Sequence, residues 1–480
     1  MTVLNILIFI LVFGGMVIVH EFGHYIVARL CKIEVEEFGI GLPTPGAITL
    51  WSTKGYLILK NGKRIEIPFN FKFPLNWNEL IDTQAKITVD EVNSRLVLRT
   101  IEFDRFEEQG QRSASSATLD HVYVDQNGKI IEPDQNAAPL SSRKAFKAGT
   151  SSGAIQLVEV VSEVHPGTRF TLNWLPFGGF VRPKGENDPS IPGGLASANP
   201  WKRLAVLVAG PLMNLLTAVI IYSFVFNNAG VPDANRVLVA SVFKDSPAEA
   251  AGFKMDDIFV SGNGQAINSF DKLGEIVDAN ENKPVTFVVE RDGKQVELTA
   301  TPKMNDQEKD VMIGVGLSNP LKPAGSILEP LNYGARYAYY NARLLISLPA
   351  QLIKGSLPAE QSRLVGLKGI YDIMSQSVES DVKASQTPTP ATPTSNPFEK
   401  MRTILLIASL SISLGVFNLF PFPALDGGRI IFILPELIFR RRVSPQIENF
   451  VHAAGMAILL IFMLYVNVMD FVNPVSFNIP

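Results

Sequence analysis

Cysteine is almost absent, with Cys31 the single one in 480 residues. One thiol closes no disulfide within the chain and builds no cysteine-rich metal site. Charge is scarce as well: Asp, Glu, Lys and Arg make up only 19% of the residues. The 43 basic and 46 acidic side chains leave a net charge of −3, so no basic field exists to hold nucleic acid. Nucleic acid is excluded as a partner. Histidine is rarer still, at 5 in the whole chain, so any two at ligand spacing carry weight.

Apolar residues fill the space that charge leaves. Four segments are long enough to cross a bilayer, which takes about 20 helical residues. They run roughly over 3–30, 204–226, 404–439 (broken at Pro421 and Pro423) and 451–471. The first is a poor signal peptide, having no basic residue before it and no small-residue cleavage site after it. Arg29 and Lys32 follow the first segment, Lys202 and Arg203 precede the second, and Arg440, Arg441 and Arg442 follow the third. All share one side if the N-terminus lies outside, and basic residues favour the cytoplasm. Lys400 and Arg402 dissent, but the balance puts both termini outside.

This pattern predicts a polytopic α-helical membrane protein of four spans with two polar regions, one cytoplasmic and one extracytoplasmic. In the first, Ile65-Glu66-Ile67 and Arg95 to Phe103 alternate and carry β-branched residues, which predicts strands and a β-rich cytoplasmic insertion. His121 and His165 lie in or beside it without paired ligand spacing and read as surface or turn histidines. The second region opens as a compact α/β unit near Arg236, with a short helix and a tight Asn263-Gly264 turn. Amphipathic helices follow from about 331 to 377, then a Pro/Thr-rich linker too poor in structure formers to fold. The expected division is 1–31 first span, 32–174 insertion, 175–202 membrane-associated β-loop and 203–228 second span. It continues with 229–305 α/β unit, 306–384 amphipathic helices, 385–400 linker, 401–442 third span and 443–480 fourth span and tail.

His20-Glu21-Phe22-Gly23-His24 sits inside the first span. On a helix, residues i and i+4 share a face, so both imidazoles can address one ion, with Glu21 beside them to take a proton from water. A metal there would lower the pKa of its water to about 7. Three ionisable residues in an apolar span each cost a few kcal/mol on insertion, so they need partners. The third span holds Asn418-Leu419-Phe420-Pro421-Phe422-Pro423-Ala424-Leu425-Asp426-Gly427-Gly428. First and third spans run in the same direction with both motifs toward the cytoplasmic end, so Asp426 can approach the histidines. Its prolines and glycines break the helix, which membrane depth tolerates only inside protein or beside a water-filled cavity. A kinked helix with Asp426 as a cap remains the plainer alternative.

HEFGH in the first span, LPFGGFV before the second, GPLMN within it and NLFPFPALDGG in the third together resemble the site-2 protease family. These are intramembrane zinc metalloproteases, and the bacterial members with an extracytoplasmic PDZ domain are the nearest match. The resemblance implies Zn2+ held by His20, His24 and Asp426, with Glu21 as general base. It implies that Asn418 hydrogen-bonds substrate backbone, an amide offering donor and acceptor without charge. It also makes Phe177, Gly178, Gly179 and Phe180 part of a membrane-associated β-hairpin or sheet whose edge takes up an unwound substrate strand. Gly210, Pro211 and Asn214 would pack the second span on the catalytic pair, with Pro421 and Pro423 shaping the third. The implied partners are membrane lipid and single-span proteins such as membrane-anchored anti-sigma factors or signal-peptide remnants, and the implied place is the bacterial cytoplasmic membrane.

Two other readings compete. A non-catalytic scaffold working through its PDZ unit has no need of Glu21 beside two imidazoles. A metal transporter should show inverted repeats and a second polar constellation, and the sequence has neither.

Overall fold

The computed structural model describes residues 2–71, 80–92, 94–107, 118–124, 130–131, 154–305, 310–355, 365–386 and 397–473. Of the expected linker, residues 387–396 lie outside them, as does the side chain of His121. The helices are α1 (Thr2–Leu30), α2 (Pro200–Ala229), α3 (Pro247–Ala251), α4 (Phe270–Asp278), α5 (Leu328–Lys354), α6 (Leu367–Gln386), α7 (Arg402–Leu419), α8 (Asp426–Phe439) and α9 (Pro445–Val472). Among the described residues four stretches are long and apolar enough to cross a membrane: Val3–Leu30, Pro200–Ala229, Arg402–Leu419 and Pro445–Val472. The third expected span is thus one helix, α7, with α8 as a separate helix beyond a six-residue break at 420–425. The chain forms two compact units: residues 7–213 with 418–459, and residues 1–6, 214–417 and 460–480.

The first unit carries β1 (Val35–Leu42), β2 (Ile48–Ser52), β3 (Gly55–Leu59), β4 (Arg64–Ile67), β5 (Gln84–Val92), β6 (Arg95–Glu107), β7 (Thr118–Val124), β8 (Ile130–Ile131), β9 (Ala154–His165), β10 (Arg169–Leu172) and β11 (Leu175–Pro183). They form two sheets. A seven-stranded sheet runs β4-β3-β9-β5-β6-β7-β8. Its alternating residues Ala85, Ile87 and Val89 pack with Leu57, Ile65, Ile67 and Ile101 into an apolar core, as the period of two demands. A four-stranded sheet runs β11-β1-β10-β2.

Three expectations change here. The LPFGGFV strand is not half of a hairpin, because β1 lies between β10 and β11, parallel to the first and antiparallel to the second. Asn173 donates its backbone N–H to Ile40 and Gly41 takes φ 85°, which lets the 173–174 link pass around the end of β1. The residues expected as one insertion, 32–174, therefore divide: β1, β2 and β10 build the sheet that presents β11, and β3 to β9 build the other. His165 is not a surface histidine. Its side chain is 12% exposed, stacks on Tyr56 at 4.2 Å and pairs with Glu34 and Glu163.

The second unit carries β12 (Val231–Pro232), β13 (Val237–Val242), β14 (Ile258–Gly262), β15 (Gln265–Ala266), β16 (Val285–Arg291), β17 (Lys294–Ala300), β18 (Lys303–Asn305), β19 (Asp310–Met312), β20 (Val315–Ser318) and β21 (Leu321–Lys322). Its main sheet runs β17-β16-β14-β13-β20, with β15 on β14. β20 pairs with β13 over 315–318, so the α/β unit reaches beyond residue 305, where the sequence pattern placed its end. Val237, Val239, Phe259, Phe287 and Val289 form its core with Leu273 and Ile276 of α4. Ser246 caps α3 by accepting from Glu249 N–H, Pro247 opens the helix, and Gly252 closes it at φ 81°. Asn214 is fully buried in this unit, and its carbonyl accepts from Ser411 Oγ at 2.9 Å.

Candidate metal centre

The 3.6-residue period of α1 puts His20 and His24 on one face, and both are buried. His24 Nδ1 donates to the carbonyl of Val206 in α2 at 2.7 Å. That bond fixes the proton on Nδ1 and leaves the Nε2 lone pair for the site. Asp426 opens α8, the first residue after the broken segment. Its Oδ2 lies 3.1 Å from His20 Nε2 and 3.4 Å from His24 Nε2, and the two Nε2 atoms are 3.2 Å apart. Donors held ~2.0–2.1 Å from a tetrahedral zinc ion stand about 3.3 Å from one another, so nitrogen, nitrogen and carboxylate oxygen match the ion in spacing and in kind. The expected Zn2+ fits these residues.

The neighbouring small residues are sized for this convergence. A Cβ on Gly210 of α2 would lie 2.3 Å from His24 Nε2 and 2.9 Å from His20 Nε2. On Gly23 it would lie 2.5 Å from the Ala209 carbonyl oxygen, so α1 and α2 meet backbone to backbone there. Pro211 sits within α2 directly after Gly210.

Glu21 is half-buried, and its Oε2 accepts from the backbone N–H of Val181 in β11 at 3.0 Å. β11 is the outer strand of its sheet, and Val181 pairs with Phe38 of β1. Because its N–H goes to Glu21, this position points outward, and so does Gly179 two residues away. Gly178, at φ 81°, and Gly179 lie against α1: an added Cβ would meet Val17 at 3.3 Å and Ile18 at 3.5 Å respectively. Phe180 covers Gly39 of β1. The backbone of Phe177 belongs to β11, but its side chain lies outside the described residues. Asn418 is half-buried in the last turn of α7.

The segment between α7 and α8 shows why Pro421 and Pro423 stand where they do. Proline cannot continue the helix, and Phe422 N–H instead closes a tight turn onto Phe420 O at 2.7 Å. Gly427 and Gly428 let the turn fold back on α8: a Cβ there would lie 2.1 Å from Phe420 O and 2.2 Å from Phe422 O. Ala424 takes φ 79°, in the left-handed region. Its N–H donates to His452 Nδ1 of α9 at 2.9 Å. Sequence reasoning passed over His452 and Val206. His452 carried a usable signal as an ionisable residue in an apolar span. Val206 acts through its backbone, which no side-chain pattern reveals.

A family model described as Peptidase family M50 matches residues 8–60 and 144–462. The unmatched stretch holds β4 to β8. Zinc metalloprotease RasP of Oceanobacillus iheyensis is 26% identical over 479 residues, covering 96% of this chain and 97% of that one. Zinc metalloprotease RasP of Geobacillus kaustophilus is 25% identical, covering 97% of each. Metalloprotease MmpA of Caulobacter vibrioides is 28% identical over 62% of this chain and 81% of that one. Among solved structures, the PDZ domain of the SdrC-like protein from Listeria monocytogenes is 21% identical and covers 17% of this chain and 87% of that chain, with a TM-score of 0.16.

Proposed function

The chain belongs to peptidase family M50 and is a zinc metalloprotease of the membrane; on that premise we propose that it hydrolyses peptide bonds in or near the transmembrane segments of other proteins, with Glu21 as general base. The observation that carries this reading is the convergence of His20, His24 and Asp426, with atoms 3.1 to 3.4 Å apart, at a depth set by apolar helices. These three would hold the ion. Zinc, when bound, supplies a Lewis acid that brings the pKa of water to about 7 and polarises a carbonyl.

The chain's own groups divide the remaining work. Glu21 takes the proton of the attacking water and hands it to the leaving amine. Val181 N–H holds the carboxylate in place for both transfers. The Val206 carbonyl keeps His24 in the tautomer a ligand needs. A helical substrate hides its carbonyls in i+4 bonds and must unwind before it is cut. The outward edge of β11, which Gly178 and Gly179 let lie close against α1, pairs with the freed strand. Asn418 supplies an uncharged donor and acceptor to the same backbone. The α/β unit of residues 237–318 acts as a PDZ-type module on the extracytoplasmic side, and the basic clusters at Arg29, Lys202 and Arg440 support an orientation with both termini outside. Substrates are single-span membrane proteins, anti-sigma factors and signal-peptide remnants among them.

The test pairs wild type with Glu21→Gln in detergent, measuring bound zinc and cleavage of a fluorogenic single-span substrate. We expect zinc in both and cleavage in wild type alone. Full cleavage by Glu21→Gln sinks the base assignment, and a folded wild type without zinc sinks the site.

A further inference from the structure

We propose that His452 is a positioning residue for Asp426: from the fourth apolar helix it holds the left-handed turn at Ala424 that aims the carboxylate at the two histidines. The inference rests on the reading of Asp426 as a zinc ligand and adds a residue that no motif includes.

Ala424 stands two residues before Asp426 at φ 79°, a conformation that L side chains rarely adopt and that persists only where surroundings impose it. Two features of α9 impose it here. His452 Nδ1 accepts the Ala424 N–H at 2.9 Å. One turn along, Gly455 leaves room for the chain, since a Cβ there would lie 2.3 Å from Pro423 Cβ and 3.0 Å from Pro423 O. Positions i and i+3 of a helix share a face, so acceptor and gap form one contact surface for Pro423 and Ala424. From the other side Gly427 and Gly428 close on Phe420 O and Phe422 O. The turn is held between the first residues of α8 and the face of α9, and Asp426 leaves it in one direction.

The state of the imidazole points the same way. Because Nδ1 accepts, the ring proton sits on Nε2, and Nε2 is buried with no hydrogen-bond partner among the described residues. The ring otherwise packs against Phe432, with centroids 5.5 Å apart. A leucine or phenylalanine would fill that space without burying an unpaired N–H. What the imidazole alone adds is the acceptor for Ala424.

The experiment uses the full chain in detergent and reads zinc affinity by competition with a chelator, alongside kcat and KM on the fluorogenic substrate. Removing a group that orients a metal ligand costs roughly 10–100-fold in metal affinity. His452→Leu should lose that much and lower kcat at limiting zinc while KM holds. His452→Asn, whose side-chain carbonyl can accept the same N–H, should recover most of the loss. Ala424→Gly adopts the turn without strain, so His452→Leu should cost less in that background. Wild-type zinc affinity in a folded His452→Leu overturns the proposal. If that variant does not fold, His452→Asn decides: near wild-type affinity supports the role, and a loss of the full 10–100-fold refutes it. A folded wild type that binds no zinc removes the site reading first, which separates the two failures.

Discussion

Gly210→Ala is the sharpest perturbation of the site, because its effects on helix and metal centre have opposite signs. Alanine is the better helix former by about 0.8–1.0 kcal/mol, so α2 on its own should gain. The added Cβ, however, would stand 2.3 Å from His24 Nε2, whereas ordinary contact begins near 3.4 Å. Either the imidazole or the helix must therefore yield by about 1 Å. His24 cannot swing freely, since its Nδ1 is bonded to Val206 O on the same helix α2. A metal site tolerates about 0.2 Å in its ligand distances, and a misplacement of about 1 Å at a reacting centre costs about 100-fold. We expect zinc affinity to fall by at least about 100-fold, near 2.7 kcal/mol, with cleavage falling in parallel. In a chelator the melting temperature should fall by less than the loss of zinc affinity implies, because the gain in α2 offsets part of the clash. Gly15→Ala is the control, because nothing lies within 4 Å of its added Cβ. It should leave zinc and activity unchanged. Unaltered zinc affinity in Gly210→Ala would refute the cradle argument outright.

Asp426→Ala and His24→Ala should lose zinc and cleavage together, whereas Glu21→Gln loses cleavage alone; metal analysis of the three purified variants separates ligand from base. Glu34 pairs with His165 and with Lys184 at 3.1 Å. Burial raises its carboxyl, but the hydrogen bonds and charges of His165 and Lys184 outweigh this, and the net shift is below the usual carboxylate value. A depressed folded pKa contributes stability above the unfolded value and loses it as pH falls through the folded one. Thermal unfolding of Glu34→Gln against wild type should show a deficit at neutral pH that closes as acid is added; a pH-independent deficit counts against the pairing. Asp257 is fully buried and takes two bonds of 2.7 Å from Arg291. Asp257→Ala should cost about 1.5–3 kcal/mol in denaturant unfolding of the second unit, since it removes the charge-assisted bonds from Arg291, whose guanidinium keeps only Gly252 O and solvent.

The parts of the site that the sequence discloses are those whose chemistry conflicts with their surroundings. Two histidines and a glutamate in an apolar helix need a partner, and Asp426 beyond a proline-broken helix is the group that can supply one. Strand alternation likewise marks β4 and β6, since burial of one face leaves a period of two in the side chains. What stays hidden depends on backbone atoms or on contacts distant in sequence. The hydrogen bonds to Glu21 and His24 come from the N–H of Val181 and the carbonyl of Val206, and any residue type presents those groups. The pairing of β1 between β10 and β11 joins segments about 130 residues apart, whereas composition reports only local preference. His452 lies between these cases. It is as conspicuous as His20 in an apolar helix, but no second histidine stands one turn away, so its contact with Ala424 is what gives it a task. The same principle accounts for the glycines at 23, 210, 427, 428 and 455: each marks a place where a Cβ would fall within 3 Å of a neighbouring atom, and together they let α1, α2, α8 and α9 approach closely enough to gather three polar groups in an apolar unit.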